Sequence, residues 1–422
     1  MTPAARVQAA IDILSGLERS PLPADRFIRD WFRRRRYAGS KDRAAVASCV
    51  FDVLRHRAFL SWRMRSESPR ALVIGTLLRD GGDLESVAAV FYGEGYGPTP
   101  LTDEETAVVQ LPPVGNPPPW VQGGYPEWLQ PELTRAFGPN LLDETVALQS
   151  RAPIDLRVNT LKAARNDVLS ALRGEGYETN FTQYSPFGIR LEPGVTGLDK
   201  TALFQSGAFE FQDEASQIAS LLVDAKPGMR VFDLAAGGGG KSLAIAAAMQ
   251  NEGEIVATDI DAGRLRQLAI RAERAGATIV DTPSPPLGGG AGETMFDRVL
   301  VDAPCSGTGT WRRQPELRWR LTPERLAQVR NTQKELLEDG AHHVKPGARL
   351  IYATCSLLPS ENEDQIEDFL ARHPNFAIVP TRAVWPEAIG THPPHGLADF
   401  FKASPLSTNT DGFFTSVLAR KE

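Results

Sequence analysis

Cys305 and Cys355 are the side chains with the most chemistry to offer. Cys305 stands in Asp302-Ala303-Pro304-Cys305-Ser306-Gly307, and Cys355 in Tyr352-Ala353-Thr354-Cys355-Ser356. Each directly follows a short apolar run that reads as a buried strand, Arg298–Val301 and Arg349–Tyr352. In an open α/β sheet ligands sit beyond the carboxyl ends of the strands, so both thiols are expected at one site. Two nucleophiles there point to covalent chemistry on an electrophilic ring. A strand-end cysteine taken singly is usually a small buried hydrophobe, and Cys49, in an apolar helical stretch, is expected to be one.

A glycine-rich turn, Asp233-Leu-Ala-Ala-Gly-Gly-Gly-Gly-Lys241-Ser242, follows a third such strand. Consecutive glycines let a ligand approach the backbone, and a helix starting near Lys241 offers free N–H groups. Two ligands fit. Ala235 to Ser242 nearly match a phosphate-binding loop, with alanine for its first glycine, and Val299-Leu-Val-Asp302 would supply the acid such ATPases use near magnesium. The competitor is an adenosine-type cofactor, which needs an acid at the end of the next strand for its ribose hydroxyls. Asp259 is so placed, and Asp233 adds a second carboxylate that suits the cationic S-adenosylmethionine (SAM) and repels a triphosphate. The phosphate reading also leaves both cysteines unexplained, so SAM is preferred.

The reaction these residues allow is specific. Carbon 5 of a pyrimidine is a poor nucleophile toward a methyl sulfonium. A thiolate adding at carbon 6 makes carbon 5 enamine-like, an acid at ring nitrogen 3 stabilises the developing charge, and a base then removes the carbon 5 proton. Cys355, Asp302 and Cys305 can fill these roles. A free thiol has a pKa of about 8.5, so the site must lower it or supply a base.

The 422 residues that must position these groups are too many for one core. Residues 1–120 read as helices, with Val7, Ile11, Ile13, Leu14 and Leu17 forming one apolar stripe. The Pro-rich stretch Leu111–Trp120 reads as a linker. Residues 121–208 mix helices (Glu132–Phe137, Leu142–Gln149, Ala164–Gly174) with strands Ile154–Val158 and Gly188–Leu191, a small α/β module of βαβ type. In 209–422 strands alternate with helix-length spacers: Met229–Asp233, Glu254–Asp259, Thr278–Asp281, Phe296–Asp302, Ala348–Thr354 and Gly412–Leu418. This implies a mostly parallel sheet covered on both faces. Thr282–Thr294 is a Pro/Gly-rich insertion expected at the surface. Three cysteines suit a reducing compartment. With no membrane-length apolar stretch and no secretory signal at Met1–Arg6, a cytoplasmic location is expected. Six scattered histidines, two of them (His342-His343) closing a helix, imply no metal site.

The runs Asp233–Ser242, Asp302–Gly309 and Tyr352–Asn362 resemble the Nop/Sun RNA (cytosine-5) methyltransferase family, as do Arg157-Val-Asn159, Gln212–Ser216 and Asp411–Phe414. The resemblance extends over residues 150–422, and the paired Pro-Cys and Thr-Cys motifs are highly specific. The N-terminus is similar, with weaker motifs, to the NusB-like RNA-binding domain of the bacterial Fmu/RsmB branch. The resemblance implies a Rossmann-like class I SAM-dependent methyltransferase domain acting on a cytidine of small-subunit (16S) ribosomal RNA. It assigns attack on carbon 6 to Cys355, product release to Cys305, and contact with both cofactor and cytosine to Asp302. SAM would be held by Ala235, Ala236, Gly237, Gly238, Gly239, Gly240, Lys241 and Asp259, with Asp281 beside the adenine. The family turn runs Ala-Pro-Gly-Gly-Lys; Gly238 in place of the proline is expected to loosen it and weaken cofactor affinity.

The chain's net charge of −6 argues against a polyanionic partner, but its distribution reverses the argument. Residues 1–70 hold 15 Lys and Arg against 7 Asp and Glu, leaving −14 for the remainder. Arg33, Arg34, Arg35, Arg36 and Lys41 form the densest positive segment and are expected to meet RNA phosphates. Arg312 and Arg313, with the tryptophans of Trp311–Arg320, are expected to clamp unpaired nucleotides beside the catalytic loop. The chain is expected to be monomeric and to have no membrane partner. Two other classes remain open: a P-loop-type ATPase acting on RNA, and a catalytically silent RNA-binding or assembly factor.

Overall fold

The computed structural model describes residues 1–283, 295–390 and 399–422. They divide into two compact units, Met1–Ser150 with Trp311–Leu321, and Arg151–Thr310 with Thr322–Glu422.

The first unit is helical. Thr2 caps Pro3–Leu17 by accepting from the Ala5 N–H at 3.2 Å, with proline at the first turn where no N–H is needed. Val7, Ile13, Leu14 and Leu17 of the expected stripe are buried, against Ala24–Arg33, Ser40–Met64 and Pro69–Arg79. The helices Gln130–Phe137 and Leu141–Ala147 pack with this unit. So does Trp311–Leu321, because the buried Arg318 guanidinium donates to three carbonyls of helix ends and a kink: Arg55 (3.2 Å), Gly124 (3.0 Å) and Leu148 (2.7 Å). The helix at Arg55 departs from α geometry at His56, which frees that carbonyl.

In the second unit, β1 (Ile154–Val158), β2 (Thr179–Phe181), β3 (Gly188–Leu191) and β4 (Phe209–Phe211) form a four-stranded sheet in the order β2-β3-β1-β4. Every pairing is antiparallel. The expected βαβ unit joining Ile154–Val158 to Gly188–Leu191 is not formed: β3 lies beside β1 but antiparallel to it, because the unexpected strand β2 intervenes and turns the chain back. Two three-residue strands, β2 and β4, carry too few residues for an alternating pattern to be read in the sequence.

The larger sheet is built from β5 (Arg230–Asp233), β6 (Glu254–Ala257), β7 (Val280–Asp281), β8 (Phe296–Asp302), β9 (Val344–Thr354), β10 (Phe376–Val379), β11 (Phe401–Ala403) and β12 (Phe413–Arg420). Its order is β10-β12-β9-β8-β5-β6-β7, with β11 beside β12. The β5–β9 half is parallel, and β12 inserts antiparallel between β9 and β10. Near-continuous apolar runs in β8 and β9 fit strands buried on both faces. The carboxyl ends of β5, β6, β8 and β9 carry Asp233, Asp259, Asp302 and Cys355 or lead directly to them.

Candidate active site

The turn after β5 is shaped by two left-handed glycines, Gly237 (φ 56°) and Gly239 (φ 78°). A Cβ on Gly239 would lie 2.4 Å from Leu268 Cγ, so glycine is required there by sterics as well as by φ. Asp259 holds the turn: its Oδ2 accepts from the Gly237 N–H at 2.9 Å and its Oδ1 from the Asp261 N–H at 2.7 Å. Ala236 donates to the Thr258 carbonyl at 2.8 Å. The Gly238 carbonyl accepts from Arg271, which also grips Glu210 at 2.9 Å. Gly238 is thus tied by its carbonyl to the Arg271–Glu210 pair.

Asp233 is fully buried and accepts the Ser242 hydroxyl at 2.6 Å, while its Oδ1 has no partner. Burial pushes its carboxyl up to about 7, with the nearby Asp302 charge acting in the same direction. Lys241 Nζ donates to Asp302 Oδ2 at 2.6 Å and lies 5.0 Å from the centre of the Phe413 ring.

The thiols meet. Cys305 Sγ and Cys355 Sγ are 3.2 Å apart, and both residues are half-buried. The contact with Cys355 comes first among the causes that raise the Cys305 thiol well above its ordinary range, followed by burial; the Glu361 charge adds to it. Glu361, fully buried, joins the two thiol loops. Its carboxylate accepts from the Ser306 N–H (2.8 Å), from the hydroxyls of Ser306 and Ser356, and from Gln333 Nε2 (3.0 Å). Gln333 also donates to the Pro304 carbonyl at 3.0 Å. The Gly309 N–H donates to the Cys355 carbonyl at 2.9 Å. Gly309 packs so closely on Gly412 that a Cβ would meet the Gly412 carbonyl oxygen at 2.1 Å.

These donors and acceptors fit SAM better than a nucleoside triphosphate. Lys241 is committed to Asp302 instead of being held out for phosphate. Asp259 and Asp302 are acceptors suited to a cation with an amine and ribose hydroxyls, with the buried Asp233 behind the turn.

A family model for the 16S rRNA methyltransferases RsmB/F matches residues 220–419. A second, for the ferredoxin-like domain of RsmF/B-like methyltransferases, matches residues 125–196. Over 309 residues the chain is 33% identical to the probable ribosomal RNA small subunit methyltransferase B of Synechocystis sp., covering 71% of this chain and 67% of that protein. The chain belongs to the RsmB/F methyltransferase family. The chain aligns with 66–67% of the length of its curated relatives. The crystal structure of PH0851 matches with a TM-score of 0.79 and 27% identity, covering 100% of this chain and 99% of that one. A methyltransferase homologue from Pyrococcus horikoshii matches at 0.60 and 28% identity, covering 72% and 97%. This RsmB/F member is a SAM-dependent methyltransferase with a Rossmann-like catalytic domain.

Of the residues expected at the site, Ala235–Lys241, Asp259, Asp302, Cys305 and Cys355 all gather at the carboxyl edge of the sheet. Asp281 is exposed on the two-residue edge strand β7. Most of the expected insertion after it, residues 284–294, lies outside the described residues. Arg33, Arg34 and Arg36 are exposed, as is Lys41, while Arg35 lies over the Trp31 ring. Arg313 is exposed, but Arg312 is only 4% exposed and Trp311 is fully buried. Within Trp311–Arg320, Trp311, Arg312 and Arg318 are thus turned inward, with Arg318 and Trp319 bonded to internal carbonyls, and Arg313 stays at the surface. Glu361 and Gln333 were missed in the sequence. Only the Glu361-Asn362 pair closing the Tyr352–Asn362 motif hinted at the first. Cys49 packs on the helical core, where burial pushes its thiol up to about 12.

Proposed function

We propose that this RsmB/F methyltransferase places a methyl group on carbon 5 of a cytidine in small-subunit ribosomal RNA, through a covalent adduct at carbon 6. The observation that carries the reading is the 3.2 Å approach of two thiols beside the Asp302–Lys241 pair.

SAM supplies an electrophilic methyl group when bound, in the cradle of Gly237–Lys241, Asp259 and Asp233. Cys355, its proton released to solvent, adds as the thiolate to carbon 6, and the electron pair of the carbon 5–carbon 6 double bond becomes available at carbon 5. A proton passed from the Lys241 ammonium through Asp302 to ring nitrogen 3 neutralises the charge that develops there, and returns when the ring double bond re-forms. Cys305 is held protonated in the resting site chiefly by its contact with Cys355. Once the Cys355 sulfur is bonded to carbon, that contact is lost, and Cys305 gives up its own proton to solvent and stands as a thiolate. It then removes the carbon 5 proton, the double bond re-forms, and the Cys355 sulfur leaves. Glu361 keeps both loops in register while the bonds change.

The test is methylation of 16S rRNA by the full chain with isotopically labelled SAM, followed by nuclease digestion and nucleoside mass spectrometry. Label in 5-methylcytidine is expected. Label confined to any other nucleoside overturns the assignment.

A further inference from the structure

We infer that the helical unit carries a slot for an unpaired nucleobase, formed on the helix Pro3–Leu17 and walled by Trp31, Tyr37 and Tyr96. The inference rests on the RNA substrate proposed above and adds a second contact on the same molecule.

A cavity of about 700 Å³ lies within this unit, in the range of small-ligand pockets. Its floor is made of small side chains on one helix face, Ala5 and Ala9, with Gln8 and Asp12 beside them. Gln8 Nε2 donates to Asp12 Oδ1 at 2.7 Å, which puts an amide and a carboxylate at the rim. Both can exchange hydrogen bonds with a base edge. The walls are aromatic. Tyr37 and Tyr96 are 72% and 86% exposed, left outside the core although their rings are large. Trp31 already has one face covered by a cation: the Arg35 guanidinium carbon is 3.6 Å from the ring centre, and Nη1 donates to the Trp31 carbonyl at 3.3 Å. Exposed aromatic faces beside a guanidinium are the equipment for stacking an unpaired base.

Charge on the adjoining segment favours one ligand. Arg35 lines the slot beside Asp12, and the stretch 26–43 that carries Arg35 holds eight Lys and Arg against two Asp. One of those acids, Asp42, accepts from Arg6 at 2.8 Å. A polyanion is attracted here, and an acidic backbone bearing flat, apolar bases satisfies both the field and the walls. Single-stranded RNA has that chemistry; a duplex hides its base faces.

The experiment is equilibrium binding of a fluorescent single-stranded oligoribonucleotide to the full chain over a series of salt concentrations. Tyr37→Ala, Tyr96→Ala, Tyr96→Phe and Arg34→Ala are compared, with methyl transfer to 16S rRNA measured in parallel. Each Tyr→Ala is expected to weaken binding about 5- to 100-fold with an unchanged salt slope, since stacking is uncharged. Tyr96→Phe is expected to bind as wild type. Arg34→Ala is expected to flatten the slope by about 0.7 for one lost phosphate contact. Both tyrosines are exposed, so unchanged thermal melts are expected and confirm folding. Wild-type affinity in both Tyr→Ala variants overturns the slot, and if methyl transfer persists the function proposed above survives alone. Loss of oligonucleotide binding in these variants, with 5-methylcytidine never formed by wild type, keeps the slot and overturns the function. A wild type that binds no oligonucleotide overturns the slot.

Discussion

Ser306 and Ser356, each the residue after a thiol, share one acceptor: the buried carboxylate of Glu361. The two cysteine loops leave different strands, β8 and β9, so this carboxylate is a direct polar tie between them. Hydrogen bonds to a charged acceptor contribute about 1.5–3 kcal/mol each, and leaving their donors unpaired in a buried site adds a desolvation cost. Glu361→Ala is therefore expected to lower the unfolding temperature by several degrees. Glu361→Gln keeps the shape but loses one acceptor oxygen. It is expected to fold, with methyl transfer reduced about tenfold or more and SAM affinity retained. Calorimetric SAM titration beside a turnover assay checks this; equal loss of both would mean that Glu361 supports the fold alone.

The adduct itself separates the roles of the thiols. If Cys355 attacks carbon 6 and Cys305 removes the proton, Cys305→Ala stalls after methyl transfer. A protein–RNA complex that survives denaturing electrophoresis is expected to accumulate. Cys355→Ala should form none and should lose turnover. The reverse pattern exchanges the assignments, and adducts in neither variant remove covalent catalysis.

What the sequence disclosed follows from how each signal arises. Strands β1, β3 and β8 match their expected limits residue for residue, since apolar-rich runs bounded by proline, glycine, asparagine or an acid are easily delimited. The paired thiols and the glycine turn were legible because their chemistry is carried by residue type at strand ends. Glu361 was not, because its importance depends on two hydroxyls brought from residues 306 and 356. The burial of Arg312 and Trp311 was hidden for a related reason. A basic-aromatic run reads as a surface clamp until burial is known, and Arg318 in that run binds three internal carbonyls instead.

Asp233 predicts a pH dependence of stability. Its carboxyl titrates near 7 in the fold against an ordinary value of 3.8. A raised acid favours the folded state fully only while protonated in both states, below about pH 4, and that contribution is lost as pH climbs through about 7. Without cofactor, the wild type is expected to lose stability between pH 5 and 8, on the order of a few kcal/mol at most. Asp233→Asn, which still accepts the Ser242 hydroxyl, should lose much less across that window. Urea denaturation at several pH values tests it, and parallel curves for the two proteins would show that Asp233 is ionised throughout.

Gly239 tests the turn by sterics alone. Alanine there meets Leu268 Cγ at 2.4 Å and must hold φ near 78°. Strain in φ contributes about 1–2 kcal/mol, and overpacking against the neighbouring helix about 1–3 kcal/mol. Gly239→Ala is expected to lower both the melting temperature and SAM affinity. A Leu268→Ala change in the same protein should restore part of the stability by removing the clash, although it introduces a small cavity of its own.

The Lys241–Asp302 pair decides between the two readings of the glycine turn. A lysine that serves phosphate is needed for nucleotide binding, whereas here Nζ is 2.6 Å from a carboxylate at the end of β8. Wild type is expected to bind SAM and to show no magnesium-dependent binding of ATP by calorimetry. Lys241→Met removes the cation that steadies Asp302 and should reduce turnover more than SAM affinity. Asp302→Asn removes the group assigned to the ring and should reduce turnover further, by about a hundredfold, since a charge-assisted contact of up to 3 kcal/mol is lost where charge develops. Magnesium-dependent ATP binding abolished by Lys241→Met, with indifference to SAM, would return the turn to phosphate recognition.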